Sequence, residues 1–574
     1  MPLTFTSADD FRWSVRKIAV IGPGIVGMPM AALLAHARIR EGSDEPAKVV
    51  VLQRDSHTSG WKVPAINAGK SVIGGIEPAL DQIVEETVGA GILSASHDYS
   101  AAADADMVLV AVQTDKKGFG PDYGPLMEAL EGLAVALTRR PAGNVPIIVF
   151  ESTLAPSSMP TLIKEHFARH GLIEGRDILL GNSPNRVMPG RLVERVAAAD
   201  KLVAGLHPLT PRLIERVYAR IVTQGQLHLT NSMTAEVVKT LENAYRDVRI
   251  AFAAEIVRYC DEHDIDFYAV RDAVNQRLAQ TDAASADATA VPSGGMLVPT
   301  VGVGGHCLPK DGILLWWRKI ESGADTSNAL ILRSREINDA SPAETTRLAE
   351  RHFGALDGRR VALLGVAYRF DSEDTRNSPT LSLARHLLEK NCRISLHDPY
   401  VKADDQNLER SGLTSYFSRD LAASIADAEI LYFCTGHGEY QRGLEKILQL
   451  APQAKVIIDG ANLYRHADVA GLSIGYTGIG RGRKDPPSEF IDFVTASFRS
   501  METGAANELD GVIDFLNGRY ADSIFNRVAL AEVRRLAGTC VTGCAIADTG
   551  AVTRAPEYRG FTTMLARCAA AASA

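Results

Sequence analysis

Short, wholly apolar runs alternate with longer stretches of helical periodicity along this chain, and that alternation predicts parallel α/β sheets. Lys-Ile-Ala-Val-Ile-Gly at 17–22 reads as a buried strand entering a glycine turn, and apolar positions over 25–37 recur at helical spacing. Further strands are expected at 48–53, 107–112 and 147–150, with a helix over 125–137. From 234 to 263 the apolar positions keep helical spacing with no Gly or Pro, which predicts a long helix on which two domains or two subunits can pack. The small polar stretch 279–295 is expected to be a loop. A second α/β unit starts at 359–365, continues with a helix after Pro379 and strands at 392–396, 430–433 and 456–459, and closes near 475–483. Beyond Lys484 the pattern is helical but carries no motif, and no solenoid repeat occurs.

At 574 residues the chain is too long for one core. The pattern divides it into 1–230, a central helical region 231–356, a second sheet domain 357–483 and a helical extension 484–574. With 46% hydrophobic and 23% charged residues, the composition is that of an ordinary globular protein. A net charge of −8 argues against nucleic acid as a partner. No apolar run reaches membrane-spanning length and the first residues are polar, so a cytoplasmic protein without membrane association is expected. Seven scattered cysteines fit a reducing compartment. Cys540 and Cys544 lack further ligands at zinc spacing, so no metal site is expected.

Gly22-Pro23-Gly24-Ile25-Val26-Gly27 stands between predicted strand and helix. There the glycines permit a tight turn, close approach of a pyrophosphate and close helix packing. Alone the motif is weak; in this context it points to a dinucleotide. Asp55, 33 positions after Gly22, is the candidate for the ribose hydroxyls, although the usual interval is about 20. An acid there favours NAD over NADP. Thr114, at a predicted strand end, is placed where the cofactor passes, and reads equally well as a turn cap.

Val301-Gly302-Val303-Gly304-Gly305-His306-Cys307-Leu308-Pro309-Lys310-Asp311 sets one thiol between a glycine turn and a Lys-Asp pair. A neighbouring cation can make a thiolate available, whereas a lone cysteine is more often a small buried side chain. A thiol combined with a hydride acceptor suggests oxidation through a covalent intermediate.

Taken in order, these motifs resemble the UDP-glucose/GDP-mannose dehydrogenase family. The other markers are Asn67-Ala68-Gly69-Lys70-Ser71, Ile76-Glu77-Pro78, Glu151-Ser152-Thr153-Leu154-Ala155-Pro156 and Lys239-Thr240-Leu241-Glu242-Asn243-Ala244-Tyr245. They continue with Gly365-Val366-Ala367-Tyr368-Arg369, Asp374-Thr375-Arg376-Asn377-Ser378-Pro379 and His397-Asp398-Pro399. The resemblance implies two Rossmann-like parallel-sheet domains joined by a long central helix that also makes a homodimer interface, here with an extra helical tail. It implies oxidation of the C6 hydroxymethyl of a UDP-sugar to a carboxylate with two NAD per turnover, in polysaccharide biosynthesis. Cys307 then resembles the nucleophile, Lys239 the oxyanion-stabilising lysine, and Asn243, one turn along the same helix face, a ligand of the sugar or a water. Asp311 resembles the acid that assists thiol and water, and Thr153 a threonine near the reacting carbon and the cofactor. Lys310 is placed to reach cofactor phosphates or substrate. Asn185, Arg186, Gly304 and Arg376 fall at substrate positions, although Arg376 could equally form a structural ion pair with Asp374.

The pattern departs from the family at Asn182-Ser183-Pro184-Asn185-Arg186-Val187-Met188-Pro189-Gly190-Arg191. Asn185 replaces a glutamate implicated in acid/base work, and an amide cannot take a proton near neutral pH. The Arg-Val-x-Pro-Gly run is similar to the branch acting on UDP-N-acetylhexosamines, whereas the Cys307 run is similar to some UDP-glucose enzymes. The expected substrate is a UDP-N-acetylhexosamine. Alternatives are a UDP-glucose 6-dehydrogenase, or a nucleotide-sugar-binding protein with impaired turnover. A 3-hydroxyacid dehydrogenase would need neither Cys307 nor a second sheet domain.

Overall fold

Parallel strands covered on both faces must be apolar at every position, and the chain meets that demand. A computed structural model describes residues 13–74, 77–140, 145–186, 191–284 and 293–538. The residues form two compact units. One comprises the chain up to Leu241 with Leu314–Gly323 and Gly511–Ala537, the other Glu242–Ile313 and Ala324–Asp510.

The first unit holds an eight-stranded sheet in the order Leu227–Asn231, Lys201–Gly205, Leu179–Asn182, Ile147–Phe150, Met107–Val110, Lys17–Ile21, Lys48–Leu52, Leu93–Ser96. Alternate residues supply two cores. Ile18, Val20, Val49, Val51, Leu109 and Val149 face one helix layer, while Ala19, Ile21, Val50, Val110 and Phe150 face the other. The sheet is not wholly parallel, since Gly181 pairs antiparallel with Gly205 and Asn182 with Ala204. The expected helix over 25–37 begins at Gly27 and ends at His36, because 24–26 belong to the turn.

The second unit carries a six-stranded parallel sheet in the order Phe417–Ser418, Arg393–His397, Arg360–Leu364, Ile430–Phe433, Val456–Asp459, Gly475–Gly478. The fold is thus α/β with two Rossmann-like sheets. Part of the expected loop at 279–295 is helical: Phe267–Ala283 runs on through Gln280 and Ala283. Asp266 caps it by accepting from the Tyr268 amide at 2.8 Å, and the alanines and glutamine after Leu278 favour helix over loop. Residues 285–292 lie outside the described ones, as do Ile76, Met188-Pro189-Gly190, Cys540, Cys544 and Cys568.

Ser232–His263 is one continuous helix of 32 residues. A helix that is apolar on several faces needs cover on each. Within the second unit the extension supplies part of it. Phe498 meets Phe252 edge-on with centroids 5.3 Å apart, Phe490 stacks on Tyr259 at 5.0 Å, and the Tyr245 hydroxyl donates to Glu502 at 2.8 Å. These residues lie on Ser488–Tyr520, a 33-residue helix, so the extension is part of the core. Its last helix, Leu530–Ala537, joins the first unit, where Thr230 donates to Glu532 at 2.8 Å and Asn231 to the Arg527 carbonyl at 2.9 Å. No helix among the described residues is long and apolar enough to cross a membrane.

Phe498 is fully buried. Phe498→Ala should therefore cost about 3–5 kcal/mol in denaturant-induced unfolding; a loss below about 1 kcal/mol would show the extension to be merely appended.

Candidate active site

In the first unit the glycine turn follows Lys17–Ile21, where the strand order reverses between Met107–Val110 and Lys48–Leu52. Ligands of such sheets bind at the carboxyl ends of strands at this switch point. Gly22 has φ +90°, and a Cβ there would lie 2.8 Å from the Ala111 carbonyl oxygen. A Cβ on Gly27 would collide with the Gly22 carbonyl, so Gly27 permits helix packing. A Cβ on Gly24 would meet nothing within 4 Å. Gly24, Ile25 and Val26 therefore border open space at a helix N-terminus, an arrangement that fits a dinucleotide pyrophosphate.

Two strand ends beside this turn are tied together. Thr114 is buried and donates to the Thr153 carbonyl at 2.8 Å, and Ser152 donates to the Val112 carbonyl at 2.5 Å. Asp55 is exposed and lies three residues beyond the last strand residue, Leu52; Gln53 directly follows the strand and donates to Ser59 at 3.0 Å. Sequence reasoning also missed Lys62, whose ammonium reaches the Pro23 carbonyl at 3.4 Å; burial lowers its pKa.

Asn185 is held in a buried network that no short motif announces. Its amide donates to the Glu151 carboxylate, which also accepts from the Tyr218 hydroxyl and, at 2.8 Å, from the Lys201 ammonium. Glu151 and Lys201 side chains are 0% and 5% exposed. Burial pulls the Lys201 pKa down while the Glu151 charge opposes it. Arg186 donates to the Leu536 carbonyl at 3.0 Å, so the extension reaches the expected substrate stretch. Lys239 is nearly buried; one turn before it, Glu236 accepts from the amides of Ser157 at 2.8 Å and Met159 at 2.9 Å. Burial pushes the Glu236 carboxyl up to about 8.

In the second unit Cys307 is exposed at the N-terminus of helix Leu308–Glu321. Its carbonyl accepts from the Asp311 amide at 3.0 Å, which places Asp311 one turn into the helix. Partial positive charge at a helix N-terminus favours a thiolate. The Asp311 carboxylate is fully buried between the Lys310 ammonium at 3.0 Å and the Asn243 amide at 2.6 Å, so Asn243, Lys310 and Asp311 form one cluster.

The loop before the thiol lies against 368–379. Gly305 donates to the Arg376 carbonyl at 2.8 Å, and Asn377 donates back to the Gly305 carbonyl at 2.9 Å. Arg376 pairs with Asp374 at 2.5 Å. Its pKa is raised, first by that hydrogen bond and least by Cys307. Burial raises the Tyr368 phenol, with a smaller contribution again from Cys307.

Three family models match successive stretches: the NAD binding domain at 16–222, the central domain at 233–340 and the UDP binding domain at 362–466, all of the UDP-glucose/GDP-mannose dehydrogenase family. A solved NDP-N-acetyl-D-galactosaminuronic acid dehydrogenase from Methanosarcina mazei is similar at 30% identity and TM-score 0.68, over 82% of this chain and 96% of that one. The chain belongs to that family. A UDP-N-acetyl-D-mannosamine dehydrogenase from Pyrococcus horikoshii is 29% identical over 81% of this chain and 99% of its own. One from Campylobacter jejuni is 27% identical over 74% and 96%. NAD is the cofactor of the family's N-terminal domain, and the glycine turn fits it.

Gly24→Ala should leave the melting temperature of the free protein within about 1 °C and weaken NAD binding, whereas Gly27→Ala should destabilise the fold by about 1–3 kcal/mol. Calorimetry with and without NAD distinguishes the two. Asn185→Glu would set a second carboxylate against Glu151, with Lys201 the ammonium bonded there, and raise the pKa of the pair. A raised carboxyl pKa contributes stability that is present below the unfolded value of about 4.3 and is lost as pH rises through the folded value. The variant should therefore melt about 5 °C or more below the parent at pH 8, with the gap narrowing at pH 5.5; equal gaps would refute this.

Proposed function

We propose that the chain is an NAD-dependent UDP-sugar 6-dehydrogenase that oxidises the C6 hydroxymethyl of a UDP-N-acetylhexosamine to a carboxylate. The observation that carries the reading is the exposed Cys307 thiol at a helix N-terminus, one turn from Asp311, in a loop that Gly305 ties to Arg376 and Asn377. The names of the relatives favour an N-acetylated sugar over glucose. In this reading 1–230 takes NAD and 357–483 holds the UDP moiety, Asp55 serves the ribose, and Asn185, Arg186, Gly304 and Arg376 contact the substrate.

NAD accepts a hydride in each of the two oxidation steps. The residues do the remainder. Lys239 and Asn243 orient C6 and steady negative charge on its oxygen, and Thr153 fixes the reacting carbon. The first oxidation leaves an aldehyde, and the Cys307 thiolate adds to it to form a thiohemiacetal. Loss of a second hydride gives a thioester, which water cleaves to carboxylate and free thiol, with Asp311 positioning the water. We further propose a cytoplasmic homodimer. Phe490, Phe498 and Glu502 already occupy part of the surface of 242–263, so a second copy has to use another face of that helix.

A screen of UDP-N-acetylmannosamine, UDP-N-acetylgalactosamine, UDP-N-acetylglucosamine and UDP-glucose should give the highest kcat/KM with an N-acetylated sugar, and two NADH per uronate formed. Cys307→Ser should lower carboxylate formation by about 10³-fold or more. Preference for UDP-glucose would overturn the substrate assignment, and undiminished turnover of the serine variant would overturn the thioester.

A further inference from the structure

Three side chains of the first unit converge from two elements. Glu131 lies on helix Gly124–Leu137, His166 on the short helix Lys164–Arg169, and His170 at that helix's end. The histidines are four apart, so their rings share one helix face, with centroids 5.3 Å apart. His170 Nε2 stands 3.2 Å from Glu131 Oε2, and His166 Nε2 stands 3.8 Å from the same oxygen. The three ligand atoms all lie within 4.8 Å of one another.

His166 is the member that ordinary packing does not explain. The residue is 6% exposed, yet its Nε2 has no hydrogen-bond partner among the described residues. Its ring is hydrogen-bonded to the backbone of Leu130, and with Nε2 unbonded the proton belongs on Nδ1. That tautomer points the Nε2 lone pair at the Glu131 carboxylate. Nε2 thus stands buried and without a donor 3.8 Å from a carboxylate oxygen, a gap that a cation would bridge.

We propose that Glu131, His166 and His170 bind a divalent transition-metal ion. Two imidazole nitrogens and one carboxylate oxygen are borderline donors that suit Zn²⁺ better than Mg²⁺ or Ca²⁺. Bonds of about 2.0–2.1 Å in a tetrahedron space neighbouring ligand atoms about 3.3 Å apart, near the 3.2 and 3.8 Å from the two histidines to Glu131. The backbone hydrogen bond on the far side of the His166 ring is the support a ligating histidine requires. Glu131 is 58% exposed at its side chain, which leaves the fourth position to water.

The ion would tie helix Gly124–Leu137 to the segment that leads out of the Thr153 stretch. That segment is already anchored to Tyr123, at the start of the same helix: the Ala155 amide donates to the Tyr123 hydroxyl at 2.7 Å, and Ser158 Oγ lies 3.0 Å from it. A metal at 131, 166 and 170 fixes the segment's other end. Its role is a brace outside the reaction, so the assignment stands whether or not the dehydrogenase reading does.

The test uses full-length, tag-free protein stripped with a chelator and titrated with Zn²⁺ or Co²⁺. About one ion per chain should bind, with a rise of several degrees in melting temperature and, for Co²⁺, visible absorption of a low-symmetry nitrogen/oxygen site. His170→Gln and Glu131→Gln alter accessible side chains and should keep the metal-free melting temperature within about 2 °C while abolishing the metal-dependent rise. Cys307→Ser, which removes the exposed thiol among the described cysteines, should retain it. Absence of the shift in the parent protein, its persistence in both ligand variants, or its loss in Cys307→Ser would each overturn the site.

Discussion

Side chains are excluded at two positions, and that exclusion fixes where the Cys307 thiol stands. A Cβ at Gly304 would lie 2.5 Å from the Tyr368 Cβ and 2.9 Å from the Asn377 carbonyl oxygen. Gly305 adopts φ +86°, and a Cβ there would enter the Tyr368 ring at 2.9 Å. The backbone therefore lies directly on the 368–377 stretch, and hydrogen bonds from Gly305 and Asn377 lock the contact. Two residues later the chain turns into a helix, whose amides at Lys310 and Asp311 bond to the Cys307 carbonyl. The position of Cys307 is thus set by backbone rather than by side-chain packing, which suits the nucleophilic role proposed for it.

Contiguous motifs were legible before any coordinates, because each encodes a local backbone requirement. The glycine turn at 22–27, the loop at 304–311 and the strand cores all fall in this class. Groups assembled from distant positions were not. Glu151, Asn185, Lys201 and Tyr218 come from four separate stretches, and nothing in the local pattern around any of them signals a shared carboxylate. The same holds for Glu131 with His166 and His170, where only the four-residue histidine spacing was visible. The antiparallel pairing of Gly181 with Gly205 also escaped, since strand direction depends on the route of the connection and not on the residues paired.

The extension shows how pattern and packing divide the information. Helical periodicity after Lys484 was plain, and so was the long helix ending at His263. What the pattern could not say is that each meets the other. An apolar position at 252 or 259 requires only some cover, and a second subunit would satisfy it as well as Phe498 or Phe490. Once the chain supplies its own cover there, the extension ceases to be a tail. It becomes part of the second unit's core, and Gly511–Ala537 continues into the first.

In the proposed thioester mechanism, release of the product from Cys307 is the step that this chain's residues constrain most. Asn185 has no protonatable atom near neutral pH, and its amide is committed to Glu151. Glu151 in turn accepts from Lys201 and Tyr218 within the first unit. In the second unit Asp311 stands one turn from Cys307, and Lys310 and Asn243 each hold one of its oxygens. In the proposed mechanism Asp311, with both oxygens engaged, orients the water, and the departing thiolate takes up its proton.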